Sequence, residues 1–420
     1  MTAAAGDPRA VVEAVWRLES ARIVAGLARL VRDLDLAEEL AQDALIAALE
    51  EWPRTGVPST PGAWLMLTAR HRAIDRLRRN DRLTDNLRRL GHDLLSRPGP
   101  GEGDFDAVLA ETDLAGGVQE DLLRLIFAAC HPALSVEAQI ALTLRVLGGL
   151  STDEIARAYL TSEATIAQRI VRAKRMLRQA GATFELPPAG EQVPRLAAVL
   201  HIVYLIFNEG YTATSGADWT RPELCYEALR LGRMLATWAV DEPEVHGLAA
   251  LMEIQSSRLR ARTTPDGTPI PLLEQNRTRW DHLLIRRGFQ ALLLARQHGA
   301  AGPYVLQAAI AACHASARRA EDTDWPQIAR LYHQLSRTAP SPIVELNRAV
   351  AVGFVDGPAA GLHLLDTIDG LANSHLLHAV RADLLTRLGR TDEARTHLQQ
   401  AATLTRNTQE HDLLLARTEP

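Results

Sequence analysis

Apolar residues in this chain recur at three- and four-residue spacing from one end to the other, and no run alternates with period two over strand length. With only 5% aromatic residues available, burial must rest on Leu, Ala, Val and Ile packed helix against helix. The pattern predicts an all-α fold. A chain of 420 residues exceeds what one core usually organises, so two or three domains are expected.

Breakers divide the helices into blocks. WPRTGVPSTPG, Trp52 to Gly62, reads as an ordered loop, and SRPGPGEGDFD, Ser96 to Asp106, as a flexible linker. GATFELPPAGEQVP, Gly181 to Pro194, reads as a second linker. From Arg195 onward the pattern is helical, and near its end Ala360, His363 and Leu364 recur as Ala394, His397 and Leu398. That spacing of about 34 residues is the period of tetratricopeptide (TPR) helix pairs, whose small residues sit where two helices approach closely. Two copies alone would not be stable, so earlier helices must supply neighbours.

Several classes are disfavoured. Cys130, Cys225 and Cys313 stand far apart, which suggests small buried hydrophobes rather than disulfides or a zinc site. The first residues, MTAAAGDPRA, do not form a signal peptide, and the longest apolar run, Leu196 to Phe207, contains His201 and falls short of the ~20 residues a bilayer requires. These features predict a cytoplasmic protein with no membrane segment. No H-E-x-x-H, Gly-rich phosphate loop or G-x-S-x-G occurs, so no metal, cofactor or catalytic residue is expected. An enzymatic reading of the C-terminal half would have to rest on Asn208, Glu209 and Tyr211 beside His201, with His246 and Glu253 further on.

The net charge is -5 and the pI near 6.3, yet WLMLTARHRAIDRLRRN, Trp64 to Asn80, concentrates Arg70, Arg72, Arg76, Arg78 and Arg79 against Asp75 alone. Drawn as a helix, it places Ala63, Met66, Leu67, Ile74 and Leu77 on one side and Arg72, Arg76 and Arg79 in a row on another. Such a row suits a phosphate backbone, since each guanidinium offers paired donors and releases counterions on binding. Arg70 falls among the apolar positions, where a carboxylate partner is expected.

A second constellation is LGGLSTDEIARAYLTSEATIAQRIVRAKRMLR, Leu147 to Arg178. Ser151 with Glu154 forms a capping box for a short helix, and a second helix starts at Thr161 or Ser162. From Ser162 onward Thr165, Gln168, Arg169 and Arg172, followed by Lys174, Arg175 and Arg178, then project from it. This is the layout of a helix-turn-helix, in which the start of the second helix reads base edges and later cations grip phosphate. A plain αα-hairpin with a basic rim would give the same pattern. The third piece, DLAEELAQDALIAALEEW, Asp35 to Trp52, groups Glu39, Gln42 and Asp43 on one helical face, with Leu40, Leu45 and Leu49 elsewhere. An acidic polar patch suits a protein partner and would repel DNA.

In their order and spacing these three pieces resemble the sigma factors of bacterial RNA polymerase, specifically the two-domain extracytoplasmic-function (ECF) group. The resemblance covers about the first 180 residues. It implies two sigma-type helical domains: region 2 over 8–85 and, after a linker at 86–117, region 4 over 118–182. A second linker at 183–194 would lead to a helical, TPR-like extension over 195–420. YLIFNEGYTATSG and GPYVLQAAIAACHASA resemble segments of the subgroup that carries this extension.

Residue roles follow from the resemblance. Glu39, Gln42 and Asp43 would hold core RNA polymerase. Trp64, His71, Arg72, Arg76 and Arg79 would engage the minus-ten element of promoter DNA, and the loop from Thr55 to Pro61 would capture a flipped base. Ser162, Thr165, Gln168, Arg169, Arg172, Lys174 and Arg175 would engage the minus-thirty-five element. The extension would bind a regulatory protein or peptide. Leu160 and Ala167 depart from the family, which commonly has a turn Gly and a basic residue there. The alternative is a helical TPR-type scaffold or DNA-binding regulator without sigma activity.

Overall fold

The computed structural model describes residues 8–91 and 117–418. Among them are eighteen α-helices and a single two-residue strand pairing. The chain divides into two compact units, Met1–Ile202 and Val203–Pro420. The expected linker from Ser96 to Asp106 lies outside the described residues.

In the first unit α1 (Pro8–Val31), α2 (Leu34–Thr55) and α3 (Pro61–Gly91) pack on one another, and α4 (Gly117–Ala129) lies on α1. Asp33 starts α2, its carboxylate accepting from the Leu36 N–H at 2.9 Å. The buried stripe of α2 is Leu34, Ala37, Leu40, Ala41, Ala44, Ala48 and Trp52. It is richer in alanine than the leucine pattern suggests: Leu45 is half-buried and Leu49 exposed. Alanines let α1 and α3 come close, and Trp52 fills the end of the interface. The expected loop from Trp52 to Gly62 is shorter than its composition implies. Helix α2 continues through Pro53 to Thr55, and Gly56, at φ 86°, closes it by donating to the Trp52 carbonyl.

Helices α5 (Val136–Val146), α6 (Thr152–Ala158) and α7 (Glu163–Gln179) form a compact group beside α4. Buried Asp121 of α4 receives Arg29 of α1 at 3.5 Å and Arg124 at 3.1 Å. Cys130 is buried, its thiol pushed up to about 12 by that burial, and behaves as a small hydrophobe. The division between the units falls inside α8 (Ala189–Tyr211), and Arg195 near its start donates to the Phe127 carbonyl at 2.7 Å.

The second unit is a succession of helices that pack on their neighbours. It contains α9 (Pro222–Trp238), α10 (Pro243–Ser256), α11 (His282–Gln297), α12 (Pro303–Ser316), α13 (Trp325–Thr338) and α14 (Pro342–Val355). Then come α15 (Pro358–Leu365), α16 (His375–Arg387), α17 (Thr391–Leu404) and α18 (Thr408–Ala416). Consecutive helices pack, except that α12 makes its main contact with α10. Prolines occupy the first turn of many of these helices, where the missing N–H costs nothing. Strand β1 (Ser215–Gly216) pairs in parallel with β2 (Arg406–Asn407). Buried Asn407 donates to the carbonyls of Ala213 at 3.1 Å and Asp218 at 2.8 Å. The array therefore closes, its last helices meeting its first loop.

Helix starts recur after about 33 residues, from Pro342 to His375 and from Pro358 to Thr391. The residues that carry the close contacts are Gly361 and Ala394, then Leu365 and Leu398. Matching identical residues thus places the first copy one position early, at Ala360 and Leu364. A Cβ on Gly361 would meet the Ala349 carbonyl at 2.8 Å. Gly247 is similar, since its Cβ would lie 2.6 Å from the Val305 nitrogen and 2.9 Å from its Cα. Glycine-to-alanine exchange inside a helix ordinarily stabilises by about 1 kcal/mol. Gly247→Ala is expected instead to cost about 1–3 kcal/mol by overpacking α10 against α12. Calorimetry of the full chain checks this as a lowered Tm; an unchanged or raised Tm would show that these helices can separate.

Candidate nucleic-acid interface

Helix α3 begins at Pro61, and the Trp64 N–H bonds the Thr60 carbonyl at 3.1 Å. Its buried face is Leu65, Ala69, Ala73 and Ile74. This corrects the expected apolar side, because Ala63 and Leu67 are exposed and Met66 and Leu77 only half-buried. The cause is again alanine, which fills the close approach to α1 and α2 while leucine is turned out. The half-buried Trp64 ring meets buried Trp52 edge-on, with centroids 5.5 Å apart. His71, Arg76 and Arg79 are exposed, and Arg79 Nε donates to the Asp75 carbonyl within its own helix. Arg70 is half-buried, and the carboxylate expected beside it is not found among the described residues.

Arg72 is placed differently from its row. It reaches Asp43 of α2 at 3.9 Å, joining one residue expected at DNA to one expected at a protein partner. Both are partly exposed, so the pair contributes at most about 1 kcal/mol. Glu39 and Gln42 are exposed beside it.

The helix-turn-helix is built by its caps. Ser151 accepts from the Glu154 N–H at 3.1 Å while Glu154 accepts from the Ser151 N–H at 2.8 Å. Ser162 caps α7 by accepting from the Thr165 N–H at 3.1 Å, and Thr152 donates to Glu163 across the turn at 2.9 Å. Leu160 lies at φ 46°, a left-handed conformation that favours glycine. The turn geometry is met here by a β-carbon under strain. Ile166, Ile170, Ala173 and Leu177 bury one face of α7. Ser162, Thr165, Gln168, Arg172 and Arg175 are exposed, and Arg169 is half-buried.

Lys174 is turned away from those residues. Its ammonium, 11% exposed, sits between Asp35 at 2.8 Å and Glu38, which it also contacts. Arg178 pairs with Asp35 at 3.0 Å and Asp33 at 3.7 Å, and Arg145 with Glu38 at 3.5 Å. Burial alone would pull the Lys174 ammonium down, but Glu38 and Asp35 outweigh it and hold the pKa above its usual value. The last turns of α7 are thus clasped to the first two turns of α2. Sequence reading missed Asp33, Asp35, Glu38 and Arg145, and it placed Arg178 with the phosphate-gripping cations rather than in this clasp. The signal was present as the acidic run DLDLAEE at a helix start, where the macrodipole favours carboxylates. Beside the clasp lies a cavity of about 320 Å³, bordered by Trp16, Ser20, Gln42, Ile46 and Arg145.

The residues that could suggest catalysis are engaged elsewhere. Glu209 binds Arg221 and Thr214, Glu253 takes Arg233 at 2.8 Å, and His246 Nε2 contacts the Val240 carbonyl at 2.7 Å. Among the described residues no group of three or more His, Cys, Asp or Glu is placed to share a metal ion. No described helix is long and apolar enough to cross a membrane.

Comparison with known proteins follows the same division. Residues 17–83, from α1 to α3, match sigma-70 region 2, and residues 124–177, from α4 to α7, match sigma-70 region 4. The chain thus carries segments that match both sigma-70 regions, in the order region 2 then region 4. Residues 195–296 match a family of unknown function (DUF6596). Uncharacterized protein R00370 of Rhizobium meliloti (strain 1021) is 44% identical over 385 residues, covering 91% of this chain and 89% of the relative. The two share one family across nearly their whole lengths. ECF RNA polymerase sigma factor SigK of Mycobacterium ulcerans (strain Agy99) is 28% identical over 162 residues, 37% of this chain and 78% of the relative. No solved structure matches significantly.

Removing one partner from a largely buried ion cluster leaves uncompensated charge, at about 3–5 kcal/mol when burial is complete. For Lys174→Met, about 2 kcal/mol is expected after allowance for the partly exposed Asp35. Hydrogen exchange in α2 and α7 checks it, with faster exchange expected in both helices. An unchanged rate in α2 would mean the clasp holds nothing.

Proposed function

We propose that the chain is an alternative sigma factor of the ECF type, which binds core RNA polymerase and directs it to promoter DNA. The observation that carries this reading is the occurrence of region 2 and region 4 in one chain, each presenting an exposed polar face. Glu39, Gln42 and Asp43 then hold core polymerase. Trp64, His71, Arg72, Arg76 and Arg79 engage the minus-ten element. Ser162, Thr165, Gln168, Arg169, Arg172, Lys174 and Arg175 engage the minus-thirty-five element. The domain limits that go with it are 8–85 for region 2, 118–182 for region 4 and 195–420 for a TPR-like regulatory extension that binds a protein or peptide. Polymerase supplies the chemistry, and the protein works in the cytoplasm.

The clasp gives this reading a mechanical step. Promoter elements at minus ten and minus thirty-five lie roughly 25 base pairs apart, about 85 Å of B-DNA at 3.4 Å per pair. Helix α3 spans about 46 Å and α7 about 26 Å at 1.5 Å per residue. With Lys174 held at Asp35, the two helices cannot cover both elements together. The clasped form is therefore the unbound one, and polymerase binding has to open it, releasing Lys174 for phosphate.

Run-off transcription with purified core polymerase on fragmented host DNA tests the function. Discrete starts are expected only with the protein present; none from the full chain or from residues 1–182 would favour the scaffold reading. Replacing Arg72, Arg76 and Arg79 together by Ala is expected to weaken promoter binding and flatten its log–log salt slope by about 2 to 3, at about 0.9 per lost phosphate contact. An unchanged slope would remove these arginines from the DNA.

A further inference from the structure

The second unit contains an arginine cluster that neither its packing nor promoter recognition accounts for. Arg258 and Arg262 flank the turn that follows α10, and Arg277 opens a short turn ending at Trp280. Arg258 is 5% and Arg262 8% exposed, and Arg277 is half-buried. Their guanidinium groups alternate with aromatic rings. Arg262 stands 3.7 Å over the Tyr211 centroid, and Arg258 lies 5.8 Å from the same ring and 5.7 Å from Trp280. Arg277 is 4.9 Å from the Trp280 centroid.

Among the described residues no carboxylate pairs with any of the three. On the flanking helices Glu209 is committed to Arg221 and Glu253 to Arg233, while Glu321 and Asp322 attract Arg277 from beyond ion-pair distance and neither acts on Arg258. Arg277 donates to the carbonyls of His314 and Ala317, and Arg262 to Thr212 at 2.9 Å. The Arg258 side chain makes no hydrogen bond among the described residues. Its Nε is buried without a partner, as are Trp280 Nε1 and His314 Nδ1 beside it. Burial above all, then Arg258 and Arg277, pushes His314 down to about 3, so its ring is neutral and adds no countercharge.

Ring faces soften a buried cation but accept no conventional hydrogen bond. A desolvated guanidinium lacking both partner and countercharge is costly, and the fork of an arginine fits an oxyanion in its plane. We propose that the extension binds a small molecule through an oxyanion, phosphoryl or carboxylate, held by Arg258 between Tyr211 and Trp280 with Arg262 and Arg277 supplying flanking positive charge. This ligand site stands independently of sigma activity, and its test does not use transcription.

The test is thermal unfolding of the full chain in sodium phosphate, sodium acetate or sodium chloride at one pH and matched ionic strength. A saturable rise in Tm is expected with phosphate, acetate or both, beyond that in chloride, and is expected to be lost in Arg258→Met. Response to phosphate alone assigns a phosphoryl group, response to acetate alone a carboxylate, and response to both a site that takes either. The same Tm in all three salts overturns the proposal, as does an undiminished response in Arg258→Met. Should Arg258→Met not fold, Arg258→Lys keeps the charge and loses the fork. Half-saturation is then expected at about tenfold higher anion, and an unchanged midpoint overturns the site.

Discussion

The arrangement of the N-terminal unit depends on one ammonium group. Lys174 enters between Asp35 and Glu38 in the first two turns of α2, and Arg178 and Arg145 close around the same carboxylates. The carboxylates are favoured there by the helix N-terminus, and Asp33 adds its charge while capping the same helix. Everything that could read DNA is then positioned from that clasp. The exposed start of α7 is held at a fixed place relative to α2, and α2 in turn packs the arginine helix through its alanine stripe. These are ionic contacts at a partly exposed seam, so salt weakens them.

Local chemistry was legible in the sequence. The capping box at Ser151 and the cap at Ser162 act within a few residues, so their pattern survives any tertiary arrangement, and the helix-turn-helix stands where they put it. The exposure of Arg76 and Arg79 followed from charge in the same way. Face assignments were less secure, because alanine gives a weak hydrophobic signal while permitting the closest approach. In α3 the buried side turned from Leu67 toward Ala69 and Ala73 for that reason. Lys174 illustrates the other limit. Its helical position resembles that of Arg175, and only the fold brings Asp35 and Glu38 to it across more than a hundred residues.

The extension teaches a related lesson about repeats. Residue identity marks the helix pairs but puts one contact a position early, since Gly361 does the work of Ala394 without resembling it. Closure of the array by Asn407 could not be read from periodicity, because it depends on a single buried amide meeting two carbonyls near the start of the unit. The buried arginines were likewise invisible. Arginine in a helical sequence reads as solvated surface, and nothing local marks Arg258 as buried between two rings.

Under the proposed function, a charged clasp keeps α7 on region 2 until polymerase separates them. Its most direct test is a pulsed electron-spin distance measurement between labels at Glu51→Cys on α2 and Gln179→Cys on α7, both exposed positions. In the free protein a single short distance is expected, and on adding core polymerase it should lengthen by about 10 Å or more, since about 85 Å of promoter exceeds what the two helices span end to end. The same short distance in the polymerase-bound protein would contradict the account.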